Sequence, residues 1–124
     1  MEPVFGQYEP VRLDRRRLAL LCAGLSAQEA RQAVFRAMEA LANRLNAARG
    51  LLARGELKTA AKITRGMVGI ADELGLVTFA MIASDVACVA LRGDKIATAA
   101  TLKRLERICD QSMSQIWDLR DLSI

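Results

Sequence analysis

Past residue 26 the chain repeats a single pattern, with apolar residues recurring at spacings of four and three and polar or charged residues between them. In the first long stretch the apolar positions are Val34, Met38, Leu41, Leu45, Ala48 and Leu52. On an α-helix these form one stripe, the face that seeks a core. Leu57, Ala60, Thr64, Met67, Ala71 and Leu74 make a second stripe. Phe79, Ile82, Val86 and Val89 make a third, and Leu102, Leu105, Cys109, Ile116 and Leu119 a fourth.

Local signals mark where each helix begins and ends. Asp14 is placed to cap a short first helix through about residue 23, closed by Gly24. Ser26 and Glu29 have the spacing of a capping box, which opens the long helix that follows, to about residue 54. Gly55 ends it, Gly75 stops the next (about 56–74), Gly93 stops a third (about 78–92), and Asp94 caps the last. Loops of a few residues place neighbouring helices antiparallel. The expectation is an all-α protein: residues 1–12 form an irregular arm, and residues 13–124 form one antiparallel up-down four-helix bundle with an additional short N-terminal helix.

Composition agrees with this pattern. Aromatic residues make up only 4% of the 124, and the only prolines are Pro3 and Pro10, both ahead of the helices. The net charge is +4, but the bases are interspersed with acids, and Arg15-Arg16-Arg17 is the only run of three. Nucleic-acid binders gather charge on one face beside stacking or base-reading groups, so this reads as a solvated basic surface with no nucleic-acid partner. Arg15 to Arg17 followed by the apolar residues 18–23 mimics an export signal. The apolar run is short, however, and Leu21, not a small residue, precedes Cys22. We read this segment as helix, expect no membrane association, and place the protein in the cytoplasm. Cys22, Cys88 and Cys109 are odd in number and form no CxxC pair, so all three are read as buried small hydrophobes in a reducing compartment.

The chain contains no histidine. That excludes Ser–His and Cys–His nucleophile pairs as well as any phosphohistidine. Asp72 and Glu73 are adjacent, so they point about 100° apart on a helix and do not form an acid–base pair. No ExxH or DxD spacing suggests a metal. The expectation is a non-enzyme without cofactor or metal.

Gly66 and Gly69 lie in a helix interior, where each costs ~1 kcal/mol relative to alanine. Lys58, Lys62, Arg65, Gly69 and Asp72 share one face, nearly opposite the apolar stripe, whereas Gly66 lies off that line. Gly69 therefore suits a docking surface, and Gly66 suits either docking or close helix packing. With Gly66, these residues make the candidate partner-binding set.

Here the sequence resembles the bacterial histidine phosphotransfer (HPt) domains, whose signature is similar to H-x-L-K-G-S-A-x-x-L-G-A. Residues 65–76 read RGMVGIADELGL: Met67 fits the apolar position, and Gly69, Ala71, Leu74 and Gly75 fall on matching positions. Leu91 to Asp94 resembles the family's turn into its last helix, and Leu52 to Gly55 the turn before its phosphorylated helix. The resemblance spans about residues 27–112. It implies an HPt-like four-helix bundle that docks on a receiver domain or sensor histidine kinase. The phosphorylatable histidine is replaced by Arg65, and the lysine expected three residues on is Val68. The implied protein is thus a pseudo-phosphotransfer module of two-component signalling that carries no phosphate. A bundle adaptor or chaperone-like protein unrelated to phosphorelays remains the alternative, and the oligomeric state is open.

The stripes make a direct prediction. Leu45→Ala and Leu105→Ala should each destabilise the fold by ~2–5 kcal/mol, and thermal melts left unchanged by both would show the stripes to be wrongly placed.

Overall fold

In the computed structural model, which describes residues 9–119, five helices pack together. They are α1 (Arg15–Cys22), α2 (Ala27–Ala53), α3 (Leu57–Glu73), α4 (Val77–Leu91) and α5 (Lys95–Trp117), and no strand occurs among the described residues. Each starts within a residue or so of its predicted position because the signals are local. The Asp14 carboxylate accepts hydrogen bonds from the backbone N–H groups of Arg16 and Arg17. Ser26 and Glu29 form the full reciprocal capping box, and Asp94 accepts from the Ala97 N–H. α3 and α4 have no side-chain cap. They begin directly after the short turns at Gly55 and Gly75.

One core cluster draws on all five helices. Val34, Leu41, Leu45, Met67, Leu74, Ile82, Val86 and Leu105 are all buried, as the stripes predict. Thr64 sits wholly buried on the α3 stripe and satisfies its hydroxyl by donating to the Ala60 carbonyl at 3.0 Å. Consecutive helices from α2 to α5 pack on one another, α5 also meets α2, and α1 lies against α2 and α3.

Three details depart from the sequence reading. Leu52 is half-buried and Leu51 buried in its place. Leu52 faces an open groove between α2 and α5, whereas Leu51 lies on the opposite flank of α2. On α4, Val89 is half-buried, and Ala80, Ala83, Ala87 and Ala90 are buried alongside the expected residues. This helix has α3 on one side and α5 on the other, so it buries two rows rather than one. The third departure corrects the cysteines. Cys22 and Cys109 are buried, but Cys88 is exposed, since it lies about 200° around α4 from the buried Val86.

Of the arm read at residues 1–12, residues 1–8 lie outside the described residues, and the described part is held at Glu9. Arg104 donates from Nε and a terminal nitrogen to the two carboxylate oxygens of Glu9, at 2.7 and 2.9 Å, and Gln111 donates to the Glu9 carbonyl at 2.6 Å. The Arg104 hydrogen bonds hold the Glu9 carboxyl below the usual carboxylate range. No helix among the described residues is long and apolar enough to cross a membrane.

Burial raises the Cys22 thiol above its ordinary pKa. Burial, with Asp110 and Glu106 nearby, pushes Cys109 up to about 11. Thiolate is the reactive form. Iodoacetamide at neutral pH should therefore label native protein at Cys88 alone, with Cys22 and Cys109 reacting only after denaturation, as read by peptide mass spectrometry.

Candidate functional site

α3 is bordered on both sides. Ala60, Thr64, Met67 and Ala71 point into the core, and Ala61 packs with Ala87 and Ala90 of α4. Ile63, Val68 and Ile70 are half-buried against the core. The predicted set, Lys58, Lys62, Arg65, Gly66, Gly69 and Asp72, is all exposed, as are Thr59 and Glu73. Asp72, Arg65, Lys58, Gly69 and Lys62 fall within about 80° of arc, with Gly66 about 40° beyond. The exposed Glu73 falls between Lys62 and Gly66, so the face carries three cations against two carboxylates, with both acids at its C-terminal end. Among the described residues none of these charged side chains forms an ion pair or a side-chain hydrogen bond.

The two glycines can now be separated from packing. A Cβ added at Gly66 or at Gly69 would meet nothing within 4 Å. No neighbouring helix needs either glycine for close approach, which removes the packing explanation that the sequence left open for Gly66. The surface is open at both glycines, with Arg65 beside them.

Sequence reasoning missed the neighbour of this face. Arg17, Leu20 and Leu21 of α1, with Glu73 of α3, line a shallow hollow of about 200 Å³. Leu20 is 69% exposed, high for a leucine beside an uncovered helix face. The signal was present: Leu18 and Cys22 lie about 40° apart on α1, whereas Leu20 lies about 200° from Leu18 and has to point outward. Glu73 falls on the Gly66 side of the α3 face, so α1 borders the face along that edge.

Arg65 offers a permanent positive charge and a planar set of donors suited to carboxylates. Among the described residues no three His, Cys, Asp or Glu side chains gather as a metal site. Searches of protein families, of curated proteins and of solved structures return no match to this chain.

If the glycines are not structural, alanine should be better in both places. Gly66→Ala and Gly69→Ala should each raise stability by ~0.5–1 kcal/mol, seen as a melting temperature higher by a few degrees. A lower melting temperature would show that the backbone needs glycine there.

Proposed function

We propose that the chain is a degenerate HPt domain of bacterial two-component signalling, acting in the cytoplasm. In this reading α2 to α5 are the antiparallel up-down four-helix bundle of that family, and α1 is an addition to it. The module is non-catalytic. It binds a receiver domain or a sensor kinase through the exposed α3 face and carries no phosphate, because Arg65 stands where the phosphorylated histidine would be.

The observation that supports this reading best is the state of the α3 face. A helix packed on both flanks leaves outward three cations that have no ion pair among the described residues, together with Asp72, Glu73 and two glycines that no internal contact requires. A receiver's phospho-acceptor pocket is an acidic cluster, as the family resemblance implies. An arginine presented to it would engage those carboxylates and leave the pocket closed to a genuine phosphate donor. Gly69, one turn on, leaves room for the receiver's loops, and the exposed Leu20 adds apolar contact at the border.

The test is binding of the purified chain to purified receiver domains by biolayer interferometry, with a sensor kinase and labelled ATP added in parallel. Arg65→Glu should weaken receiver binding by ~1–3 kcal/mol, and the chain should stay unlabelled. Unchanged binding, or acid-labile phosphate on the chain, overturns the proposal. A partner that is neither receiver nor kinase would point to the adaptor reading.

A further inference from the structure

Two neighbouring hollows lie away from the α3 face, along the seam where α2 meets α5. One of about 610 Å³ is bounded by Arg31, Phe35 and Trp117, and a neighbour of about 300 Å³ by Phe35, Glu39, Asp110 and Trp117. Both are open to solvent. Phe35 and Trp117 stand between them with ring centroids 6.5 Å apart and planes inclined at 42°. Phe35 is 53% exposed and Trp117 is 49% exposed. Two large aromatic rings side by side in water are the kind of apolar patch that marks an interaction surface.

The charges around the rings identify what covers them. Arg31 and Arg36 flank Phe35 on the hollow nearer the start of α2, whereas Glu39 and Asp110 flank the other hollow. The surface is positive at one end, negative at the other, and apolar in the middle. A partner of a single sign would meet repulsion at one end. A second copy rotated by 180° about an axis through the rings lays each positive end over a negative one, the self-complementarity that a two-fold interface requires. With that axis at Phe35 and two α2 helices antiparallel, positions whose numbers sum to 70 stand at the same height. Arg31 is thereby level with Glu39 of the other copy, twice over. From Gln28 to Ala42 the exposed flank of α2 runs about 21 Å, and α5 widens it. Aromatic anchors at the centre with charged pairs at the rim match the anatomy of specific interfaces.

We propose that the Phe35–Trp117 face is the interface of a symmetric homodimer. It lies on the flank of α2 turned away from α3, so dimerisation leaves the α3 face free, and neither reading depends on the other.

Sedimentation velocity of the full chain over a range of concentrations tests the proposal. The parent protein should dimerise, with Trp117, its only tryptophan, shifting its emission to the blue as concentration rises. Phe35→Asp should abolish the dimer. Arg31→Glu and Glu39→Arg should each weaken it about tenfold or more, and the double exchange Arg31→Glu with Glu39→Arg should restore it. Circular dichroism checks that Phe35→Asp remains helical. If it unfolds, the exposed positions 31 and 39 decide the matter. A chain that stays monomeric throughout overturns the proposal, as does a dimer indifferent to these substitutions or a double exchange that fails to restore association.

Discussion

Between α3 and α4, backbone from two distant parts of the chain comes into direct contact. The Asp14 N–H donates to the Gly75 carbonyl at 2.7 Å, and the Val77 N–H donates to the Arg12 carbonyl at 3.1 Å. Leu13 and Leu76 form an isolated antiparallel bridge. Gly75 has φ +77°, and a Cβ on it would collide with the Asp14 carbonyl, so the turn demands glycine for two separate reasons. The same few residues end α3, start α4 and hold Asp14, and Asp14 then caps α1. The end of α3, the start of α4 and the position of α1 are therefore one arrangement rather than three. From it follow the burial of Leu18 and Cys22 in the core and the placing of Glu9 against Arg104.

This contact also marks the boundary of what the sequence discloses. Helix ends are legible because a cap acts over three residues: Ser26 and Glu29 satisfy each other whatever the rest of the chain does. Stripes are legible where polar residues interrupt them, as on α2. They blur on α4, which is apolar on nearly every side, so that nothing distinguishes the buried Ala83 and Ala87 from the exposed Cys88 by type. Pairings across the chain leave no local trace. Nothing near Glu9 announces Arg104, 95 positions away. Leu52 shows the same limit in reverse: it fits its stripe and is half-exposed because α5 stands off from α2 there, which periodicity in α2 cannot reveal.

The candidate face was legible for a different reason. Glycine in a helix interior is an unfavourable choice, and a local rule broken without an evident structural return points to a demand from outside the fold. The structure sharpens that inference, since neither Gly66 nor Gly69 touches a neighbour that a methyl group would crowd. The border with α1 was not legible, because it depends on α1 being folded back by the contact at Gly75. Only then does Leu20, outward by helix geometry alone, come to stand beside the face that carries Arg65.

The two uncovered surfaces differ in kind: aromatic rings stand at the centre of one and glycines on the other. The α3 face carries Lys58, Lys62 and Arg65 towards its start and Asp72 and Glu73 at its end. In the proposed function it is the cationic part, with Arg65, that meets an acidic partner. The α2–α5 seam carries both signs at opposite ends. Its acidic end is felt inside the protein as well, since Asp110 and Glu106, after burial, help raise the Cys109 thiol to about 11. The Arg49–Glu106 pair that crosses the seam at 2.7 Å is largely solvated and adds little to its closure. The seam is therefore held by apolar packing beneath its rim, with Phe35 and Trp117 left above. A bipolar surface repels a uniformly charged partner at one end and attracts its own rotated image at both. The two proposed surfaces do not overlap, one lying on α3 and the other along the seam of α2 with α5, so occupation of one would leave the other open.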